Sequence, residues 1–222
     1  MKVVISGYGK MGHIIETVLI NKGIEAIPTE DVASTDPAVA GESVCIDFTT
    51  PDAFRANYKY IAEHFKAAVI GTTGWDDIRA EVTAYFEKCG TPMIWGSNFS
   101  IGVIALSAAV DCATKILQGA GYVPFIEETH HVHKVDSPSG TAKSLSEIIE
   151  HNLSVRPDIT SIRQGEVAGT HIVKLKSDVD KIKITHEAFS REGFAQGAVK
   201  AAEMLEELKG VHEFKELIIN KQ

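Results

Sequence analysis

The sequence predicts an α/β protein in two parts. A parallel sheet wound with helices fills the first half, and an α+β region on an open mixed sheet follows it. Three observations carry this. Short apolar runs alternate with amphipathic ones from Lys2 to about Asn98, the pattern of strand–helix repeats that builds a parallel sheet through right-handed crossovers. After Asn98 the alternation gives way to one long apolar helix and then to several strands in close succession. At 222 residues and 44% hydrophobic content the chain can bury a sizeable core, enough for one to two domains of roughly 100–200 residues each.

Each element has its own warrant in the sequence. Lys2–Ser6 is a buried strand, and the glycine loop behind it opens a helix over about Met11–Lys22. Glu25–Pro28 is a second strand, shortened by a proline that offers no ladder N–H. Val44–Phe48 is a third, followed by a helix near Pro51–His64. Ala68–Gly71 is a fourth strand, then comes a helix over about Asp76–Lys88, and Pro92–Gly96 is the fifth strand. The second region opens with a helix over about Ile101–Leu117 and a strand at Pro124–His131. A helix near Thr141–Asn152 keeps Ala142, Leu145, Ile148 and Ile149 on one face. Ile162–Lys176 and Lys181–Glu187 are extended runs, and the Ser177–Asp180 turn makes them a hairpin. Gly193–Lys209 returns to helix, with Ala198, Ala201, Ala202, Leu205 and Leu208 on one side.

The formal net charge of −8 argues against non-specific binding to nucleic acid or to acidic membranes. An anionic substrate would then need a local cationic pocket, for which Lys134, Arg163 and Arg191 are candidates. Cys45, Cys89 and Cys112 are widely spaced among apolar or helical neighbours, so buried free thiols are expected, with no disulfide framework and no metal site. Met1 leads directly into Val3-Val4-Ile5 without a secretory signal, and no apolar run approaches a membrane span. The expected location is the cytoplasm.

Gly7-Tyr8-Gly9-Lys10-Met11-Gly12 is a G-x-G-x-x-G between a strand and a helix, the setting that distinguishes a dinucleotide site from a merely structural glycine turn. Gly7 permits the tight turn, Gly9 lets the backbone approach a pyrophosphate, and Gly12 allows close helix–strand packing. This makes the first part a Rossmann-type unit. An acidic residue is due about 20 residues further on to hold the adenosine ribose, and Asp31, beside Glu30, stands there. No lysine or arginine follows before Arg55, so NADH is favoured and NADPH remains possible. The loops Gly71-Thr72-Thr73-Gly74 and Gly96-Ser97-Asn98-Phe99-Ser100 follow strand ends, where an open parallel sheet binds its ligand. Ordinary turn chemistry accounts for either loop taken alone. At the end of the third strand, Thr49 is a cofactor candidate and Asp47 is a candidate helix cap.

The densest chemistry lies in Glu128-Thr129-His130-His131-Val132-His133-Lys134-Val135-Asp136-Ser137-Pro138-Ser139-Gly140-Thr141, where three of the nine histidines and a lysine fall within five positions. Histidines move protons near neutral pH, and a lysine offers a fixed cation. A glycine turn opening a helix points N–H groups at an anion. The segment reads as a site that protonates a small anionic substrate; its plainer alternative is a His-rich surface loop.

Together these residues resemble the 4-hydroxy-tetrahydrodipicolinate reductase (dihydrodipicolinate reductase) family over nearly the whole chain. The resemblance extends to Arg163-Gln164-Gly165-Glu166-Val167-Ala168-Gly169-Thr170-His171, Thr185-His186-Glu187-Ala188, Ser190-Arg191 and Phe194-Ala195-Gln196-Gly197-Ala198. Two departures stand out: Ser137 replaces a usual alanine, and the stretch near Ala33–Glu42 is trimmed. The resemblance implies a dinucleotide domain (1–98 with 194–222) completed by the C-terminal helix, and an inserted substrate-binding and tetramerisation domain (99–193). The implied reaction reduces (4S)-4-hydroxy-2,3,4,5-tetrahydrodipicolinate to tetrahydrodipicolinate in diaminopimelate and lysine biosynthesis. It implies His130 as proton donor and acceptor, Lys134 as second donor, and His131, Gly140 and Thr141 as contacts of the dicarboxylate. His133 stands open between a structural and a catalytic bond, and Asp136 between orienting a histidine and capping the turn. His186, Arg163 and Arg191 are candidates for lining the inserted sheet. Two rival readings are an aspartate- or homoserine-type dehydrogenase, which leaves the His-Lys block unexplained, and a non-catalytic NAD sensor, which makes that block decorative.

Overall fold

In the computed structural model, which describes residues 1–220, the apolar runs of the first half supply five strands of a six-stranded parallel sheet. The elements are β1 (Lys2–Ser6), α1 (Lys10–Asn21), β2 (Glu25–Thr29), α2 (Pro37–Glu42), β3 (Val44–Asp47), α3 (Pro51–His64), β4 (Ala67–Ile70), α4 (Arg79–Cys89) and β5 (Met93–Trp95). β3 and β4 are buried throughout, because helices cover both faces of a parallel sheet, and so they show no polar alternation. α1 buries Gly12, Ile15, Val18 and Leu19 at helical spacing; a side chain such as Ile15 or Leu19 contributes roughly 1.5–3 kcal/mol on full burial. Pro28 does not shorten β2 as expected: the strand runs on to Thr29. β2 is the sheet edge, where a missing N–H costs no ladder bond. α3 is capped by Thr50, whose hydroxyl accepts from the Ala53 N–H at 3.3 Å, with Pro51 in its first turn. α2 was not foreseen; it is six residues long, with only Ala40 buried.

A second unit spans Ile101–Arg191. It comprises α5 (Ile101–Ile116), β6 (Val123–His130), α6 (Gly140–Leu153), β7 (Asp158–Arg163), β8 (Gly169–Lys176) and β9 (Lys181–Ala188). Its sheet has the order β7-β6-β8-β9. β7 runs parallel to β6, the crossover being α6, while β8 and β9 are antiparallel to their neighbours. The expected single run Ile162–Lys176 is in fact two strands. The chain turns at Gln164–Ala168, where the Val167 N–H reaches the Gln164 carbonyl at 3.4 Å and Gly165 has a φ of 50°. The β8–β9 hairpin forms as expected, closed by the Ser177 N–H to the Asp180 carbonyl at 3.0 Å. One sheet face packs Ile126, Val173 and Leu175 against Leu106, Val110, Ala142, Leu145 and Ile149 of the two helices. The other face is bare: Val123 and Phe125 remain 51% and 38% exposed.

The chain then returns to the first unit, which consists of Met1–Ser100 and the residues from Glu192 onwards. α7 (Glu192–Met204) ends five residues short of the expected Lys209. β10 (Val211–Glu213) and α8 (Phe214–Ile219) follow, neither foreseen, because three-residue and six-residue elements carry no readable period. β10 joins β5, giving the order β10-β5-β4-β3-β1-β2 with the switch point between β1 and β3. Of the cysteines, Cys45 is buried in β3, but Cys89 and Cys112 are exposed on their helices, contrary to expectation.

Candidate active site

At the carboxyl ends of β1, β3, β4 and β5 the first unit gathers the loops in which a nucleotide was expected. Gly7 has a φ of 90°, and a Cβ there would lie 2.5 Å from the Phe48 carbonyl oxygen. A Cβ at Gly12 would lie 2.4 Å from the Gly7 carbonyl oxygen, so the helix seats directly on the turn. Gly9 faces open space and caps α1 with no side-chain bond and no acid in the first turn. The helix thus offers backbone N–H groups and a positive dipole end that no carboxylate of its first turn offsets, the arrangement that suits a pyrophosphate. Tyr8 bonds Glu16 through its hydroxyl and packs on His13, Met11 is half-buried, and Lys10 is exposed. Asp31 is exposed beyond β2, and its Oδ1 accepts from the Ala33 N–H at 3.1 Å, capping a short turn.

Asp47 does not cap a helix. Its buried carboxylate accepts the hydroxyls of Ser6 at 2.7 Å, Thr72 at 2.5 Å and Thr49 at 3.0 Å, tying three strand ends together. Burial raises its carboxyl above the usual range, against the pull of those hydroxyl bonds. Thr72 is therefore buried and committed to Asp47, while Thr73 is exposed. Gly71 leaves room for the Phe48 ring, which a Cβ would meet at 2.2 Å. After β5, Gly96 is buried, Ser97 is exposed, and the Asn98 amide oxygen accepts from the Ser100 N–H at 2.8 Å. Phe99 is only 2% exposed, its ring stacked on Phe214 at 4.8 Å and near Phe48 at 5.9 Å. Its side chain thus supports the loop from within.

In the second unit the site follows from strand register. Residues two apart share a face, so Glu128 and His130 point to the same side of β6. Pairing sets Ser161, Glu128, His171 and His186 in one row across the sheet, with Arg163 and His130 in the next. Glu128 is wholly buried. Its Oε2 bonds His130 Nδ1, and the Arg163 fork donates to Oε1 at 2.9 Å and to Oε2 at 3.2 Å. Burial works against the ionised carboxylate, but Arg163, Ser161 and His130 outweigh it and hold Glu128 below its ordinary range. Burial pushes His130 down, partly offset by Glu128. His130 Nε2 faces Gly169, where a Cβ would stand 3.0 Å away. His171 lies beside it with ring centroids 5.1 Å apart, and burial pushes His171 down to about 4. His171 Nε2 bonds the Ser139 hydroxyl at 3.1 Å, and Ser139 caps α6 by accepting from the Ala142 N–H at 3.2 Å.

The candidate cations separate clearly. Lys134 Nζ meets Asp136 Oδ1 at 2.8 Å, so Asp136 partners the lysine and no histidine. Arg163 serves Glu128 and also donates to the Asp136 carbonyl at 2.7 Å. Arg191 donates to His131 Nε2 at 3.1 Å, which places the ring proton of neutral His131 on Nδ1. Among the described residues, Nδ1 of His131, His171 and His186 finds no hydrogen-bond partner although buried. Gly140 and Thr141 begin α6, Gly140 exposed and Thr141 half-buried. His133 is exposed, 3.4 Å from the equally exposed Glu166, with its ring centroid 6.1 Å from that of His131.

Glu128, His130 and His171 each place a ligand atom within 4.8 Å of the others, a donor set that a metal could use by type. Both Glu128 oxygens are already bonded by a guanidinium, and a cation there would sit against Arg163. The charge is balanced without an ion, which fits proton handling better. Sequence reasoning assigned no role to Glu128, Ser139, Gly169 or His171. Alternation along β6 could have found Glu128, whereas the other three depend on pairing and on the turn before α6.

Sequence models described as dihydrodipicolinate reductase match the chain, the N-terminus over residues 1–99 and the C-terminus over residues 102–218. A 4-hydroxy-tetrahydrodipicolinate reductase of Christiangramia forsetii is 36% identical over 233 residues, covering 98% of both chains. Another from Ralstonia pickettii is 33% identical over 98% of this chain and 99% of its own. Among solved structures, a dipicolinate-bound dihydrodipicolinate reductase from Paenisporosarcina sp. TG-14 aligns with a TM-score of 0.81 at 19% identity, covering 98% of this chain and 99% of that one. At that identity the likeness is one of fold.

Proposed function

Since the chain belongs to the dihydrodipicolinate reductase family, we propose that it reduces (4S)-4-hydroxy-2,3,4,5-tetrahydrodipicolinate to tetrahydrodipicolinate, with His130 handling the proton. The step belongs to diaminopimelate and lysine biosynthesis, and the chain acts as an NAD(P)H-dependent oxidoreductase. When bound, the reduced nicotinamide supplies a hydride to the substrate. The residues fit such a cofactor: Gly7, Tyr8, Gly9, Lys10, Met11 and Gly12 would hold its pyrophosphate at the open start of α1. Asp31 would take the adenosine ribose, and Gly71, Thr72, Thr73, Gly96, Ser97, Asn98 and the Phe99 backbone would border the nicotinamide side. We take NADH as the preferred form, because no cation stands near Asp31 in the sequence to receive a 2′-phosphate.

On the substrate side, Gly140 and Thr141 would bind one carboxylate with their N–H groups, where the dipole of α6 favours an anion. His131 would contact the same ligand. Lys134, a cation held by Asp136, would stabilise the negative charge that hydride transfer delivers. Loss of water from the hydroxylated carbon would create the conjugated acceptor, and after hydride transfer His130 Nε2 would give its proton to a ring carbon of the resulting enamine. The bare face of the mixed sheet supports assembly into a homotetramer, since exposed Val123 and Phe125 call for cover. A soluble cytoplasmic enzyme with a small-molecule substrate fits the acidic net charge. The dehydrogenase and sensor readings give way, for neither explains a buried histidine braced by a carboxylate.

The observation that carries the reading is buried His130, locked at Nδ1 by Glu128 with its Nε2 facing Gly169. The test is NADH oxidation by the purified protein, with and without substrate freshly made by the preceding synthase, for the wild type and His130→Gln. The variant should keep its affinity for NADH and lose about 10²–10⁴ in kcat, the range for a missing acid–base group. Undiminished turnover at saturating substrate would refute the assignment.

A further inference from the structure

We propose that Glu128 and Arg163 are positioning residues that fix the tautomer of His130 and hold it in step with Lys134. The inference rests on the reading of His130 as the proton-handling group. A carboxylate beside an imidazole can either take its proton or hold that proton on the near nitrogen. Here the Arg163 fork donates to both Glu128 oxygens, at 2.9 and 3.2 Å, and the Ser139 N–H approaches Oε1 at 3.4 Å. A proton on Glu128 would face those donors, so the carboxylate stays ionised and the His130 proton stays on Nδ1. Nε2 is then the atom free to exchange a proton, and it points to the notch left by Gly169.

The same guanidinium reaches further. Its Nη2 also donates to the Asp136 carbonyl at 2.7 Å, and the Asp136 carboxylate holds Lys134 Nζ at 2.8 Å. One half-buried fork therefore sets both assigned proton-handling side chains, His130 through Glu128 and Lys134 through Asp136. A lysine in place of Arg163 could not span both partners, since it lacks the planar fork.

The charged and titratable groups around His130 are Glu128 on its own strand, Arg163 on β7, His171 and then His186 across β8 and β9, and Lys134 in the following loop. Glu128 raises the proton affinity of His130, whereas burial, Lys134 and Arg163 lower it. Removing the carboxylate should therefore move the alkaline limb of the kcat profile to lower pH.

The experiment compares the wild type, Glu128→Gln, His130→Gln and the double variant by steady-state kinetics across pH. Glu128→Gln should lower kcat by about 10²-fold, the cost of a misplaced reacting group, leave KM for NADH in place and shift the alkaline limb acidward. The double variant should be no slower than His130→Gln alone, because the two residues act as one unit. Additive losses, or wild-type turnover with an unmoved limb in Glu128→Gln, would overturn the proposal. Full turnover in His130→Gln would instead remove the reading beneath it. If Glu128→Gln does not fold, Glu128→Gln combined with Arg163→Met removes both charges together. A folded pair with wild-type kcat and pH profile would refute the proposal equally, and a slowed pair with an acid-shifted limb would support it.

Discussion

Asp31 would carry two tasks at one carboxylate. Its Oδ1 caps the turn after β2 through the Ala33 N–H, and in the proposed reading its charge would also hold the adenosine ribose. Replacing it with alanine would mix both effects, since loss of a cap alone costs about 0.5–2 kcal/mol. Asp31→Asn keeps the cap and removes the charge. In the wild type we expect NADH to be used about tenfold better than NADPH, a difference of roughly 1.4 kcal/mol. In Asp31→Asn the ratio of kcat/KM for the two cofactors should approach one. A wild-type preference for NADPH, or a ratio indifferent to the substitution, would contradict this. Single residues were legible to different depths. The His-Lys block could be read from side-chain chemistry, and likeness to the family singled out His130 and Lys134 within it. The partners that make them a site could not, because His171 and Gly169 reach His130 only through the β6–β8 register. Phe99 shows a related limit: a loop residue at a strand end can face inward, and sequence does not show which way it turns.

Between elements, α7 passes very close to the loop after β5 in the first unit. A Cβ on Gly197 would fall 1.8 Å from the Phe99 carbonyl oxygen, so this helix tolerates a glycine at its centre to pass close to that backbone. Gly197→Ala should therefore destabilise despite alanine's better helix propensity. Overpacking of this kind costs about 1–3 kcal/mol, which calorimetry should report as a melting point several degrees lower. Displacement of the Ser97–Phe99 loop should also raise KM for NADH. An alanine variant as stable as the wild type would show that the helix simply shifts. Elements with a long period were read well, α3 to the residue. Failures came where period gave out: β10 is three residues, and the Gln164–Ala168 turn hides inside an otherwise extended run. Pro28 was judged as though β2 had neighbours on both sides, and edge position is a property of the sheet, not of the strand.

For the molecule as a whole, pH dependence follows from histidines kept neutral by burial. His171 is depressed to about 4, and His130 and His186 are also lowered. A base whose folded value is depressed adds stability above its ordinary value of 6.5, and that contribution is lost as pH falls toward about 4. Each such proton contributes a slope of up to about 1.4 kcal/mol per pH unit within its window. Urea unfolding across that window should show stability falling with acid, and His171→Gln should flatten the fall. An unchanged slope in the variant would exclude His171 as a source. The α/β class could be read from alternation, since strand–helix alternation is repeated many times along the first half of the chain. Discontinuity of the first unit was available only through likeness to relatives.

Phe214 completes the core under the β5 loop, and β10 covers the edge of β5, yet both arrive more than a hundred residues after that strand. During synthesis, Met93–Trp95 must wait as an unpaired edge while the continuous stretch Ile101–Arg191 emerges and can close on itself. Such an edge is a template for pairing with another chain, so the interrupting unit matures first and the interrupted one bears the exposure. Pulse-labelled hydrogen exchange during refolding should find amides of β6 and β8 protected before those of β5. Simultaneous protection would mean that the two assemble as one, and the waiting edge would then be a feature of the map without a life in time.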